Sequence, residues 1–275
     1  NLRLEKIIAD RTKEIQKQKH EIEHKNQEIT DSINYAKGIQ DSILPEIDEI
    51  KKSWKELFIF FQPKDIVSGD FYWFKNINEH EFLIACCDCT GHGVPGGFMS
   101  MICSGKLHDS ALISTEPDQL LYHANNSIKE NLRQQGTSKN KDGMEICLVK
   151  VNTQTRRVKY AGANRALWIF NASEKSISEI KPTKASIASS TEFNSTYQMH
   201  DFELKTEDVL YLTSDGYADQ FGGASGKKYM TKNFKTFLES KAALPMNTQL
   251  SELKGNINSW MGNHEQVDDL LGDRN

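Results

Sequence analysis

The chain has 275 residues, 26% of them charged, with a net charge of −4 and a pI near 6.1. That length can bury a sizeable core, and the acidic balance argues against a nucleic-acid binder, which needs a basic face. With a mean hydropathy of −0.60, no apolar run approaches the roughly 20 residues of a membrane span.

No signal peptide is visible, and the chain opens on Asn1 rather than Met, so a segment upstream is expected. The cysteines are odd in number, and three crowd at Cys86, Cys87 and Cys89. This suits a reducing cytoplasm better than a disulfide framework. Cys86 and Cys89 have C-x-x-C spacing, but a zinc site wants a second pair, and Cys103 and Cys147 stand alone.

Residues 1–44 carry no Gly before Gly38 and are dense in Lys, Glu, Gln and Ile, a helix-forming composition. Ile8, Ile15, Ile22 and Ile29 recur at heptad spacing, with Leu4 ahead of them, while the facing positions Arg11, Gln18 and Lys25 are polar. One apolar layer per heptad makes a thin seam, marginal alone and suited to a parallel dimer; a solvated single helix leaning on the rest of the chain is the alternative. Pro45 is expected to end the helix, which divides the chain into a helical coiled-coil linker, 1–44, and a globular domain, 45–275.

Strands are predicted at Leu57–Phe61 and Phe71–Phe74. The stretch from Phe82 to Met101 is the centre of the chain: an apolar run to Cys87, then Asp88, then a turn rich in glycine, then a helix opened by Pro95. An acid so placed presents a carboxylate to a metal or a phosphate, or merely caps the connection. Helices are predicted at Val94–Ser110 and Pro117–Gln135, the second with Leu120, Leu121, Ala124, Ile128 and Leu132 on one face. Gly136–Gly143 reads as a polar loop. Three strands follow at Met144–Val151, Arg157–Ala161 and Leu167–Asn171. Ser173–Ser195 reads as loop with one short strand, and Tyr197–Leu204 with Asp208–Leu212 as a strand pair. Two helices, Met230–Ser240 and Thr248–Trp260, close the pattern. Strands in runs with helices in pairs argue for an α+β layered sandwich over a doubly wound sheet.

Four local patterns share one setting, an Asp beside a Gly or a second Asp at the edge of an apolar run: Asp70, Asp88, Asp215 and the pair Asp268-Asp269. If they converge, each pair about 5 Å apart repels by roughly 3 kcal/mol at an effective dielectric near 20, so a cation must sit among them. Hard oxygen donors select Mg²⁺ or Mn²⁺ over zinc, and two such ions suit phosphate-ester hydrolysis.

The strings PKDIVSGDFYWF, CDCTGHGVPGGFMSM, AGANRALWIF, LYLTSDGYADQFGG and QVDDLL together resemble the bacterial PPM-type serine/threonine phosphatases, and more narrowly the sporulation stage II protein E branch that includes regulators of sigma factors. The resemblance spans about Leu57 to Asp269. It implies an α-β-β-α sandwich with a binuclear Mn²⁺/Mg²⁺ centre, in which Asp88 bridges both ions and the carbonyl of Cys89 ligates one. Asp215 and Asp268 would hold the other ion, with Asp70 in support. Asp88 and Asp215 would then be the catalytic pair, and a metal-activated water would attack phosphoserine or phosphothreonine directly. It further implies a phosphorylated regulatory protein as substrate, such as an anti-sigma-factor antagonist, and an upstream sensor feeding the dimeric linker. His92 is either a general acid or a turn residue; Asn164 and Arg165 could meet substrate phosphate, and Asp142 a third ion. Asp219 and the aromatic residues Phe71–Phe74 read as structural.

One departure stands out. The family continues past its last acids into a closing apolar strand, whereas here Leu270-Leu271 gives way to Gly272-Asp273-Arg274-Asn275. The expectation is a missing strand and a loosely held Asp268. Two rivals follow: an inactive phosphatase-fold scaffold signalling through the dimer, and a module that binds a phosphorylated ligand without cleaving it.

Overall fold

The computed structural model describes residues 2–54, 56–134, 141–188 and 195–274. In chain order, α1 (Leu2–Asp41) and α2 (Ile47–Ser53) precede β1 (Phe58–Gln62), β2 (Asp70–Asn76) and β3 (Glu81–Cys89). Helices α3 (Gly93–Ile113) and α4 (Pro117–Asn131) come next. Then follow β4 (Met144–Asn152), β5 (Arg157–Ala163), β6 (Leu167–Asn171), β7 (Ser176–Ile180), β8 (Met199–Glu203) and β9 (Val209–Thr213). A short α5 (Gly216–Asp219), the small hairpin of β10 (Phe221–Gly222) and β11 (Lys227–Lys228), α6 (Thr231–Lys241), α7 (Met246–Met261) and β12 (Leu270–Arg274) complete the chain.

Two antiparallel five-stranded sheets stack face to face, one ordered β1-β12-β9-β6-β7 and the other β2-β3-β4-β5-β8. The period of two along a strand explains the layers. In β3, Leu83, Ala85 and Cys87 face α3 and α4, while Phe82, Ile84 and Cys86 face the other sheet. With both faces covered, the strand reads as an unbroken apolar run. The opposite sheet does the same: Ile59, Leu210, Leu212 and Leu271 point between the sheets, and Phe58, Phe60 and Tyr211 pack on α6 and α7. This is the four-layer α-β-β-α sandwich expected.

Three expectations are corrected. The first helix ends at Asp41, short of Leu44, and the seven residues of α2 follow it; too short for a periodic signal, α2 is fixed by Ile50, which is completely buried. β8 and β9 do not pair with each other: β8 pairs with β5 and β9 with β6 and β12. The turn where Lys205 and Asp208 bond each other passes the chain between sheets, so adjacency in sequence misled. The short strand expected after Ser173 is present as β7, while residues 189–194, like 135–140 of the polar loop, lie outside the described residues.

The last correction matters most: the closing strand exists. β12 lies inside its sheet, Leu270–Arg274 pairing with β1 and Gly272–Arg274 with β9. A strand with neighbours on both sides has its backbone groups satisfied whatever its side chains are, so Gly-Asp-Arg continues what the leucines begin. Leu270 and Leu271 point to opposite faces, into the helix-side and inter-sheet cores.

α1 is exposed along most of its length, and Gln40 alone among its residues is buried. The Gln40 amide donates to the Ser68 carbonyl and the Ser100 hydroxyl, both at 2.7 Å, and accepts from the Ser68 N–H at 3.0 Å. The helix is thereby fastened to the loop that leads into Asp70.

Candidate active site

Antiparallel register sets three acids in a row across one sheet. Asp70 stands opposite Asp88, and Asp88 opposite Glu145. Like charges facing across strands destabilise a sheet, so this alignment needs positive charge nearby. The second sheet brings Asp215, just past β9, and Asp268, just before β12. Asp88, Glu145, Asp215 and Asp268 line one cleft of about 290 Å³ at the shared end of the two sheets, with Cys89, His92 and Arg165.

Asp70 lies behind this cleft, 3% exposed, and its Oδ2 has no hydrogen-bond partner among the described residues. Burial first, then the charge of Asp88, raises its pKa well above the ordinary carboxylate value, against the pull of the Ser214 hydroxyl. Asp88 is pushed up to about 7, by burial and by Asp215, Asp268 and Glu145, with Arg165 opposing. Burial and the neighbouring Asp215 also raise Asp268, against the hydrogen bond it accepts from the Asp269 N–H.

Positive charge comes from Arg165, whose side chain is 13% exposed. One nitrogen, Nη2, lies 2.5 Å from Asp88, 2.8 Å from Glu145 and 2.9 Å from Asp215. Among the described residues no three His, Cys, Asp or Glu side chains stand grouped as a ready chelate; Arg165 stands between the acids.

The paired acids at the end of the chain divide the work. Asp268 faces the cleft, whereas Asp269 is 1% exposed and accepts from the N–H groups of Lys64, Gly69 and Asp70 at 2.8, 2.8 and 3.3 Å. It clamps the Ser68–Asp70 loop from the opposite sheet. That loop tolerates no side chain at Gly69, where a Cβ would stand 2.2 Å from the Gly91 carbonyl oxygen. The Cys89 thiol packs toward Cys103 in the helix-side core, which leaves its backbone to face the cleft. Around His92, Nδ1 lies 2.7 Å from Asp65 and Nε2 lies 3.1 Å from the Lys64 ammonium. Since lysine only donates, Nε2 accepts and Nδ1–H donates to Asp65.

A family model described as stage II sporulation protein E matches residues 78–271. The chain belongs to that family. Among solved structures, the SiaA-PP2C domain of Pseudomonas aeruginosa is 28% identical, with a TM-score of 0.80 over 90% of this chain and 97% of that one. The PP2C phosphatase domain of SpoIIE from Bacillus subtilis, solved with a fragment of its regulatory domain, is 17% identical, with a TM-score of 0.63 over 80% of this chain and 60% of that one. RsbX, solved in complex with magnesium, is 14% identical, with a TM-score of 0.56 over 79% of this chain and 92% of that one. No curated protein matches in sequence. Family and PP2C fold together make this member of the stage II sporulation protein E family a phosphoprotein phosphatase.

In this phosphatase the expected residues Asp88, Cys89, Asp215 and Asp268 share one cleft, with Asp70 behind it. Asp142 does not line the cleft, and Asn164 turns its amide to Glu145 and Ser186. Asp219 pairs with Lys228. Sequence reasoning missed Glu145, Asp65 and the clamp by Asp269. Only register places Glu145 beside Asp88, and register is not written in a strand's own composition.

The raised acids fix a pH dependence. Asp88 titrates near 3.9 when unfolded and near 7 when folded, so between those values the folded state holds the extra proton. Stability present at low pH is therefore lost as pH rises through this window. In EDTA the melting temperature is expected to fall from about pH 4 to about pH 7; a flat or rising profile would contradict the assignment.

Proposed function

We propose that this phosphatase hydrolyses phosphoserine or phosphothreonine on a protein, with Mn²⁺ or Mg²⁺ ions held in the acidic cleft. The observation that carries the reading is the convergence of carboxylates from both sheets on one cleft, backed by the buried and unpartnered Oδ2 of Asp70. All the donors are hard oxygens, which fits these ions and not zinc. Asp88, Asp215, Asp268 and the Cys89 carbonyl would hold two ions, with Asp70 in support. Bound there, such ions activate water and stabilise charge on a phosphoryl group.

The chain's own part is positioning. Asp269 ties the Asp70 loop to the strand that follows Asp268, so the two sheets cannot slide without moving ligands of both. Asp65 orients His92 at the rim, with its Nδ1 proton fixed. RsbX, a fold relative, is solved with magnesium, in keeping with this choice of ion. Family membership supports a phosphorylated regulatory protein as substrate, of the anti-sigma-factor antagonist kind, and a cytoplasmic setting. No helix among the described residues is long and apolar enough to cross a membrane.

The linker is read as the dimer contact. Ile8, Ile15, Ile22 and Ile29 are 56–63% exposed on α1, a stripe that a second copy would cover, and Gln40 joins the same helix to the Asp70 loop. The scaffold alternative drew its support from a missing final strand, and β12 removes that support.

Replacing Asp88 by Asn is expected to lower p-nitrophenyl phosphate turnover in Mn²⁺ by at least about a hundredfold with the circular dichroism spectrum unchanged; near-normal turnover would take Asp88 out of the mechanism. Replacing Ile22 and Ile29 together by Asn is expected to shift the protein toward monomer in sedimentation. An unaltered mass would show that the seam does not hold the dimer.

A further inference from the structure

We infer that Arg165 is a built-in counter-cation, occupying the acid cluster in the ion-free protein and yielding to divalent ions when they bind. The inference rests on the metal-dependent reading above. Its starting point is that Nη2 of Arg165 contacts Oδ2 of Asp88, Oε2 of Glu145 and Oδ2 of Asp215 at 2.5, 2.8 and 2.9 Å. Two of those three belong to the set that would hold ions, and an oxygen turned to a guanidinium is not free to ligate.

Charge shows why the arrangement is provisional. Arg165 brings a single positive charge to a cluster in which Asp70 and Asp268 also take part, and it contacts neither of them. The buried Oδ2 of Asp70 is left without a partner. Arginine cannot shed its proton, so it can leave the acids only by moving. Two divalent ions supply more charge than one guanidinium and reach the acids Arg165 leaves unserved.

The backbone around Arg165 confines that movement to the side chain. Its carbonyl accepts from the Tyr160 hydroxyl at 2.6 Å, and a Cβ on Gly162 would stand 2.4 Å from the same oxygen. Neighbouring Asn164, at φ +57°, donates to Oε1 of Glu145 at 3.0 Å and to the Ser186 hydroxyl at 2.9 Å. Glu145 is therefore held independently of Arg165. On ion binding the guanidinium gives up Asp88 and Asp215 and keeps Glu145, which explains an acid that the ion set does not need. Arg165 is thus a positioning residue: it keeps mutually repelling carboxylates together until ions arrive, and the ions must displace it.

The test is calorimetric titration of Mn²⁺ into the whole chain and its Arg165→Met variant, with melting curves in EDTA and in saturating Mn²⁺. The variant is expected to bind Mn²⁺ at least about tenfold more tightly and to melt lower than the parent in EDTA. In saturating Mn²⁺ the two melting temperatures are expected to converge. Equal or weaker Mn²⁺ binding by the variant, with the parent still binding, would overturn the role of Arg165 and leave the metal-dependent reading standing. No Mn²⁺ binding by either protein would overturn both. Should Arg165→Met fail to fold, Arg165→Gln keeps a polar side chain but removes the positive charge; it too must bind Mn²⁺ more tightly than the parent, or the inference fails.

Discussion

The mutual repulsion of carboxylates at the joint end of two sheets governs this structure. Asp70, Asp88 and Glu145 are forced side by side by strand register, and Asp215 and Asp268 arrive from the facing sheet. No choice of rotamer removes the conflict, because it is set by the backbone. The fold answers it locally in three ways. Burial and neighbouring charge shift the acids toward their protonated forms, Arg165 inserts one guanidinium, and Asp269 spends its charge on backbone N–H groups.

The same residues tie catalysis to architecture. β12 runs between β1 and β9, so the strand that follows Asp268 and Asp269 is also the one that unites its sheet. The loop it clamps, Ser68 to Asp70, is the loop that the end of α1 grips through Gln40. A displacement of α1 therefore bears on Asp70 through a short chain of hydrogen bonds rather than through the whole core.

Much of this was legible in the residues. The two-sided burial of β3 shows as an unbroken apolar run, and each aspartate of the cleft shows as a charge at the edge of one. The layered sandwich follows from strands in runs and helices in pairs. What could not be read depends on pairing. Glu145 looks like an ordinary acid near a strand start until register sets it against Asp88. β12 looks too polar to be a strand because its stability comes from neighbours on both sides. Arg165 reads from sequence as a phosphate contact, since nothing in AGANRALWIF reveals that three carboxylates surround it. Gln40, at the end of a solvated helix, carries no sequence mark of its burial.

The acid cleft is proposed to hold divalent ions. Anomalous diffraction from a crystal grown with Mn²⁺ tests it most directly. Manganese peaks are expected among Asp88, Asp215 and Asp268, with the Arg165 guanidinium withdrawn from Asp88 and Asp215. A map with no manganese in the cleft, and Arg165 still paired to both aspartates at saturating Mn²⁺, would contradict it.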